Sequence, residues 1–263
     1  MEPANIVDDI NKKTMHAAIT SYSAFDELSP PERIALARIG EQVKGGAILD
    51  LGVGGGRTVR HLCAISSDYI GVDYVQGMVD ACRGKFPGVR FEYADARSMP
   101  QFGDASFDLV VFAWAGICMV DHAGRLAILR EVRRILRPGG YFIFSTYNQN
   151  CADHDAPFAF PDFTFSGNPL RLAVNTLNFV RSTVFGLINK QKLRRFEVRT
   201  SEYSIINDRC HDYATMLYYI TFTNQLKQLA ATGFSGAVVA YDTDGNELAG
   251  ETPGNSFTFV VSG

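Results

Sequence analysis

Cysteine pairs and long apolar runs are scarce in this sequence, and these scarcities disfavour disulfide-rich, metal-binding and membrane-spanning proteins. The five cysteines are scattered and none forms a Cys-X-X-Cys pair, which disfavours a disulfide framework and a bound metal. No stretch of about 18 residues is apolar enough to cross a membrane, and the polar N-terminus lacks the apolar segment of a secretory signal. The formal charge of −3 provides no strong field for nucleic acid. We therefore expect a cytoplasmic protein without metal, membrane or nucleic-acid partners.

What the sequence does contain is a regular alternation of short apolar runs and helical patterns. Most of these runs are largely apolar, which is typical of parallel strands covered by helices on both faces. With 263 residues, the chain suits one α/β domain with an added lid better than two full domains. The predicted strands are 47–51, 68–73, 89–94, 107–112 and 141–146.

Three further segments flank a core at 46–147. Residues 1–45 have a helical pattern and are expected to form an N-terminal cap. The alternation stops after Tyr147, and residues 148–212 are expected to form an insertion on the substrate side that acts as a lid. Residues 213–263 are predicted to contain a helix followed by two antiparallel strands.

The segment from Ile48 to Arg57 runs from a strand through a glycine-rich turn into a helix. Glycines in such a turn let the backbone approach a ligand, and the carboxyl end of the first strand is where open α/β sheets bind ligands. Glycines stand at 52, 54 and 56, whereas a dinucleotide-binding pattern needs glycine in place of Arg57. The carboxylate of Asp50 suits a cationic ligand better than a pyrophosphate. A tight turn that binds no ligand is the alternative.

Acidic residues also end the second and third predicted strands. Asp73 lies 21 residues after Gly52, at the place from which a carboxylate accepts hydrogen bonds from both hydroxyls of a ribose. Tyr74 offers an aromatic face to a base, the carboxylate of Asp95 can accept from an adenine amino group, and the backbone N–H of Ala96 can donate to a ring nitrogen. Any one of these residues could be solvated or serve packing alone. Three successive strand ends together predict a nucleoside site.

These motifs resemble those of the class I S-adenosylmethionine-dependent methyltransferases over residues 46–147. The matching features are the glycine motif Ile48–Gly56, the fourth-strand motif Ser106–Val110, the turn Leu136–Gly140, and the acids Asp73 and Asp95. The nearest branch is the small-molecule group that includes quinone-biosynthesis methyltransferases, although Val53 replaces the Cys or Ala of many members. The resemblance implies an α/β, Rossmann-like doubly wound sheet of seven strands with a reversed last strand.

The resemblance also implies S-adenosyl-L-methionine as cofactor and S-adenosyl-L-homocysteine as product. The expected reaction is methyl transfer, by in-line displacement, to oxygen or nitrogen of a small-molecule acceptor. Two alternatives are a nicotinamide-dependent oxidoreductase, which Arg57 disfavours, and a non-catalytic nucleoside-binding accessory protein, which the acidic strand ends disfavour. The residues expected to contact the cofactor are Tyr22, Asp50, Gly52, Gly54, Gly56, Asp73, Tyr74, Met78, Asp95, Ala96, Ala113 and Trp114.

The acceptor site is predicted from fewer residues. Trp114, the single tryptophan, either lines the methyl end of the site or packs in the core or between sheet and lid. Phe158 and Phe160 belong to a segment, 156–165, that contains four phenylalanines. This segment either walls an apolar acceptor pocket or forms a satellite cluster under a long loop. Tyr147, at the end of the fifth strand, is a further candidate.

His122 and His211 are the candidate general bases. The start of a helix, where His122 is predicted to lie, favours neutral imidazole, the form that can accept a proton. A surface or capping histidine is the alternative at either position. The basic run 190–195 is predicted to be a solvated face, with an anionic acceptor or RNA as the other interpretation.

Overall fold

A computed structural model describes residues 3–22, 24–156 and 158–263 of the chain. Pro157, in the phenylalanine-rich segment, lies outside the described residues. Within these ranges the helices are α1 (Pro3–Ala17), α2 (Ile19–Tyr22), α3 (Pro30–Ile39), α4 (Val59–Ile65), α5 (Gln76–Lys85), α6 (His122–Ile135), α7 (Pro169–Leu193), α8 (Cys210–Tyr213) and α9 (Phe222–Ala231).

The described strands form a single mixed sheet. They are β1 (Ile48–Leu51), β2 (Tyr69–Asp73), β3 (Arg90–Tyr93), β4 (Phe107–Phe112), β5 (Leu136–Asn148), β6 (Val198–Arg199), β7 (Tyr203–Asp208), β8 (Thr215–Ile220), β9 (Val238–Tyr241), β10 (Glu247–Leu248) and β11 (Ser256–Ser262). The main path through the sheet is β10-β9-β11-β5-β4-β1-β2-β3.

Strand directions confirm the doubly wound sheet with a reversed last strand. β1 pairs in parallel with β2 and β4, β2 with β3, and β4 with β5. β11 is antiparallel to both of its neighbours, β5 and β9. The short strand β10 adds to the outer edge of β9. The sheet order reverses between β1 and β4, and this switch point is where open α/β sheets bind ligands.

Two apolar cores cover the two faces of the sheet. Side chains of α6 and α9, including Leu129 and Leu229, pack in one core with Phe142 of β5. Side chains of α3, α4 and α5 pack in the other, where Leu62 and Val79 are fully buried. This arrangement explains why β1 and β2 are buried along their whole length and β4 along almost all of it.

The segment after β5 differs most from its prediction. It contains the 25-residue helix α7 and the strands β6 and β7. β7 pairs antiparallel with β8, and β8 pairs in parallel with Tyr147 and Asn148 at the end of β5. The sheet extension therefore crosses the expected boundary at 213, because Thr215–Ile220 is a fully buried strand that the sequence interpretation missed. No described helix is long and apolar enough to span a membrane.

Candidate functional site

A cavity lies at the carboxyl ends of β1, β2 and β4. Its volume is about 1020 Å³ when the space at its open mouth is included. Residues of α1 and α2 also line it, so the N-terminal helices form part of its wall. Ten of the twelve residues expected to contact the cofactor line this cavity: Tyr22, Gly52, Gly54, Asp73, Tyr74, Met78, Asp95, Ala96, Ala113 and Trp114.

The glycine-rich turn between β1 and α4 requires its glycines. Gly52, Gly54 and Gly56 have φ values of 61°, 54° and 82°, in the left-handed region that other residues rarely adopt. A Cβ on Gly52 would lie 2.7 Å from the ring of Phe112. Gly56 is a correction to the prediction: it does not line the cavity, and its backbone packs where a Cβ would lie 2.4 Å from the ring of Phe86.

Asp73, at the end of β2, is held rigidly at the cavity wall. Its two carboxylate oxygens accept backbone hydrogen bonds from Gly54 and Val75, each at 2.9 Å. Burial raises the pKa of Asp73 to about 6. Because a carboxylate offers about four lone-pair positions, Asp73 retains capacity to accept hydrogen bonds from a ligand.

Tyr74 follows Asp73 and lines the same cavity. Its hydroxyl is buried and, among the described residues, has no hydrogen-bond partner. The ammonium group of Lys12, on α1, lies 5.0 Å from the centre of the Tyr74 ring. A buried polar atom without a partner is costly, and because this hydroxyl is enclosed by protein, other atoms of Tyr74 line the cavity.

Asp95 reaches the cavity already paired with a cation. Arg97 donates to both of its carboxylate oxygens, from Nε at 2.9 Å and from Nη2 at 2.6 Å. Arg97 also donates to Asp8 on α1, so the three side chains connect the third strand end to the N-terminal helix. Burial acts to raise the pKa of Asp95, but the hydrogen bonds from Arg97 outweigh it and leave the pKa below its usual value. A ligand amino group would therefore share this carboxylate with Arg97.

Asp50 is a second correction, because its carboxylate does not line the cavity. The side chain is 1% exposed and accepts hydrogen bonds from the hydroxyls of Thr58 and Tyr69. Burial raises the pKa of Asp50 to about 6. Its position within β1 directs the carboxylate between β2 and the start of α4, where it ties the glycine turn together.

Trp114 lies at the mouth of the cavity, so the interpretation that it packs in the core is wrong. Its side chain is 46% exposed, and the Tyr22 and Phe25 rings contact it edge-on at 5.8 and 5.1 Å between centroids. Trp114 and Ala115 both have positive φ, at 51° and 55°. Non-glycine residues in this region cost about 1–3 kcal/mol each, and such strain is commonly found at functional sites.

Arg57 is a cavity residue that the sequence interpretation missed. Its guanidinium lies 4.6 Å from the centre of the Trp114 ring and forms two hydrogen bonds of 2.7 Å with Glu32 of α3. Both partners are buried. Burial acts to raise the pKa of Glu32, but the hydrogen bonds and charge of Arg57 outweigh it and keep the pKa below its usual value. No local pattern links positions 32 and 57, so only the fold brings them together.

The two candidate histidines do not line the cavity. His122 Nδ1 lies 2.8 Å from the Tyr218 hydroxyl, and its ring stacks on Tyr203 at 4.1 Å. His211 Nε2 lies 3.1 Å from the hydroxyl of Tyr22, which does line the cavity. His211 is therefore connected to the cavity through the side chain of Tyr22.

Three of the predicted acceptor residues also lie outside the cavity lining. Phe158 stacks on Tyr213 at 5.0 Å, and Phe160 contacts Phe158 edge-on at 5.4 Å. Tyr147 stacks on Tyr219 of β8 at 5.2 Å. The cause is the sheet extension and α8, which take up these rings as packing partners.

Comparison with known proteins agrees with this geometry. Residues 48–140 match the family described as "Methyltransferase domain". The chain is 38% identical over 101 residues to the phthiotriol/phenolphthiotriol dimycocerosates methyltransferase of Mycobacterium tuberculosis, a match that covers 38% of this chain and 36% of that protein. It is 27% identical over 153 residues to malonyl-[acyl-carrier protein] O-methyltransferase of Yersinia pestis, covering 58% and 56%. The matches thus span about a third to a half of these relatives' length.

A solved structure is similar over a larger part of the chain. The 1,6-didemethyltoxoflavin-N1-methyltransferase of Burkholderia thailandensis, solved with S-adenosylhomocysteine bound, has a TM-score of 0.61. The similarity covers 100% of this chain and 91% of that one at 10% identity, so it concerns the fold alone. Three features indicate the same similarity to methyltransferases: the matched family, the reversed strand β11, and the glycine turn followed by acidic strand ends. The chain is therefore similar to S-adenosylmethionine-dependent methyltransferases, in sequence through residues 48–140 and in fold over its whole length.

Proposed function

We propose that this protein transfers a methyl group from S-adenosylmethionine to oxygen or nitrogen of a small-molecule acceptor. The observation that carries the proposal is that the ends of β1, β2, β3 and β4 contribute to one cavity lined by Gly52, Asp73, Tyr74, Ala96 and Trp114. The relatives named above act on chemically different acceptors, one of them a malonyl group carried on a protein, so they do not narrow the identity of the acceptor.

The residues of the cavity fit the nucleoside part of this cofactor. Asp73 would accept hydrogen bonds from the ribose hydroxyls, and the ring of Tyr74 would lie beside the base. Asp95 and the backbone of Ala96 lie where a base edge needs an acceptor and a donor. Gly52 and Gly54 leave space for the rest of the cofactor beside the turn.

The sulfonium of S-adenosylmethionine supplies an activated methyl group, so the protein's task is to orient the acceptor and exclude water. Aligned reactants can gain about 7–11 kcal/mol in this way. Trp114, Tyr22 and Phe25 surround the mouth of the cavity and would exclude water from the acceptor side. If the acceptor is a hydroxyl, Tyr22 with His211 is the pair placed to receive its proton.

The nicotinamide alternative is not favoured. The third glycine of the dinucleotide pattern is replaced by Arg57, whose side chain is fixed by Glu32 beside the glycine turn. The non-catalytic alternative is not favoured either, because both acidic strand ends line the cavity. Cofactor binding and methyl transfer are the two measurements that test these alternatives.

Calorimetric titration with S-adenosylhomocysteine and with NADH tests the cofactor. We expect S-adenosylhomocysteine to bind and Asp73→Ala to weaken it about 100-fold or more, because hydrogen bonds to a charged acceptor are worth about 1.5–3 kcal/mol each. Asp80→Ala is the control, since this carboxylate lies exposed on α5 and pairs with Arg83. Binding of NADH alone, or unchanged affinity in Asp73→Ala, would refute the proposal.

Transfer is tested separately by incubating the protein with S-adenosylmethionine and a panel of phenols, alcohols and amines, and measuring S-adenosylhomocysteine release. We expect at least one class of acceptor to raise the release above the rate without acceptor. Cofactor binding without release by any class would favour the accessory-protein alternative.

A further inference from the structure

Helix α7 exposes most of its large apolar side chains, and part of its protein-facing side is polar. That side carries the half-buried Leu172, Phe179 and Leu193 together with Ser182 and Asn189, which hydrogen-bond to the carboxylate and the backbone carbonyl of Asp212 respectively. Gly186 is the one buried residue along this helix. The solvent-facing side carries large apolar residues, with exposures between 39% and 77%: Leu170, Val174, Leu177, Val180, Val184, Phe185, Leu187 and Ile188.

The spacing shows that this apolar surface is continuous. Leu170, Val174, Leu177, Val184 and Ile188 recur at three- and four-residue steps or at their sum, which places them on one stripe of an α-helix. The stripe runs the length of a 25-residue helix, about 37 Å at 1.5 Å per residue. Solitary exposed apolar residues need no explanation, but a continuous stripe of this length indicates a surface that another body covers.

The phenylalanine-rich segment enlarges the same surface. Phe160 and Phe165 are 65% and 76% exposed, and Phe163, 47% exposed, contacts Phe179 of α7 edge-on at 5.5 Å. We name the combination of α7 and residues 158–165 the apolar face. It holds most of the large apolar side chains that are exposed among the described residues.

The charge of the apolar face identifies what covers it. The face contains four basic residues, Arg171, Arg181, Lys190 and Lys192, and one acidic residue, Asp162, and the two residues that follow α7, Arg194 and Arg195, are also basic, in a chain whose formal charge is −3. Among the described residues, none of the six forms an ion pair with Asp or Glu: Arg171, Arg181, Lys190, Lys192, Arg194 and Arg195. Arg181 lies four residues after Leu177, and Lys192 lies four residues after Ile188, so both basic side chains stand along the apolar stripe.

An anionic lipid surface satisfies both features of this face. Apolar side chains enter the boundary between headgroups and acyl chains, while Arg and Lys on long stems reach the phosphates. A second copy of the chain would bring like charges together, and RNA would leave the apolar stripe without a partner. We propose that α7 and residues 158–165 dock the protein on an anionic membrane surface, lying on it without crossing it.

The proposal revises the expectation of no membrane partner, which rested on the lack of a spanning segment. It does not depend on the reaction, because a protein that bound lipid without transferring methyl groups would present the same face. The docking test is therefore independent of acceptor identity.

Co-sedimentation with vesicles tests docking. We expect the full chain to bind vesicles of phosphatidylcholine with phosphatidylglycerol, to bind phosphatidylcholine alone much less, and to be released by added salt. Lys192→Glu with Arg194→Glu should lower partitioning to anionic vesicles on the order of tenfold or more. Lys44→Glu with Lys227→Glu is the charge-matched control outside the face, and we expect it to retain most of the binding.

The apolar contribution is tested with Leu177→Ser and Val184→Ser together, which should also lower partitioning on the order of tenfold, while Tyr93→Ser, exposed on β3, should not. Circular dichroism and S-adenosylhomocysteine affinity confirm that each variant is folded. The proposal is overturned if the wild-type protein does not bind anionic vesicles or if both double variants bind as it does. It is also overturned by a dimer that the Leu177→Ser and Val184→Ser substitutions dissociate, or by binding to RNA in place of vesicles.

Discussion

Helices α6 and α7 use their apolar residues in opposite ways. In α6, Leu129 and Ile135 are fully buried against the sheet. In α7, Leu170 and Leu177 are 77% and 69% exposed. Burial of apolar area stabilises a fold by about 25 cal/mol per Å², so the leucines of α6 hold the domain together and those of α7 do not. The comparison teaches that α6 belongs to the core that specifies the fold, whereas α7 carries the surface that we propose contacts a membrane.

The largest effect that we expect comes from the buried ion pair of the core. Glu32→Ala leaves the charge of Arg57 buried without its partner, which should lower the free energy of unfolding by about 3–5 kcal/mol. Urea denaturation followed by circular dichroism measures the loss. The control is Glu41→Ala, which breaks a pair that is 87% exposed at its glutamate and should cost less than about 1 kcal/mol. Equal losses in the two variants would contradict the contrast between buried and exposed contacts.

The comparison of the two helices is tested most directly by matched leucine substitutions. Leu129→Ala should lower the free energy of unfolding by about 2–5 kcal/mol, because it opens a cavity under α6. Leu177→Ala should change it by no more than about 0.5 kcal/mol, because the side chain has little packing to lose. Both are measured by urea denaturation. A large loss for Leu177→Ala would mean that α7 supports the fold, and the contrast would fail.

Substitutions of Gly56 and Gly167 test the same comparison with a smaller expected loss of stability. Gly56→Ala forces a Cβ against Phe86 at a φ of 82°, and we expect a loss of about 1–3 kcal/mol together with weaker S-adenosylhomocysteine binding. Gly167→Ala, just before α7, meets no atom within 4 Å and should be neutral. Thermal unfolding with and without S-adenosylhomocysteine reports both effects. Equal behaviour of the two variants would show that the turn tolerates side chains.

The sequence was enough to predict the cofactor half of the molecule because its signals are local. Most of the runs that became β1 to β5 are largely apolar, and the glycine turn and the acids at 73 and 95 stand at or just after the ends of strands. Parallel strands bring their carboxyl ends to one edge, so Asp73, Tyr74 and Ala96 could be placed in one site without knowing the packing. The similarity to methyltransferases over residues 48–140 agrees with the same motifs, while the narrower resemblance to quinone-biosynthesis methyltransferases stays a prediction.

The remaining features depend on contacts between distant residues. The pairing of Arg57 with Glu32 and the turn of Asp50 toward Tyr69 are consequences of packing that no spacing indicates. The strand β8 was missed because its partners, β7 and the last two residues of β5, lie beyond the last strand predicted for the core. Its addition to the end of β5 is also what draws Tyr147 away from the cavity.

The smallest effect that we expect is a pH dependence that distinguishes the cofactor cavity from the apolar face. Cofactor binding needs the carboxylate of Asp73, and burial raises the pKa of this group to about 6. Docking depends instead on the positive charges of Arg and Lys, whose ordinary pKa values lie far above this range. Below pH 6 the folded protein increasingly carries a protonated Asp73, which loses acceptor capacity toward the ribose hydroxyls. Affinity for S-adenosylhomocysteine should therefore fall about tenfold between about pH 7 and pH 5, while vesicle binding changes little.

Calorimetry and co-sedimentation at both pH values measure the two effects. Asp50 is the control, because burial also raises its pKa to about 6 but its carboxylate lies away from the cavity. Asp50→Asn should keep the tenfold fall, whereas Asp73→Asn should bind weakly at both pH values with the fall removed. If the fall instead followed Asp50, the titrating group would act through the glycine turn and Asp73 would not be the ribose acceptor. If vesicle binding fell in parallel with cofactor affinity, the two regions would not be independent.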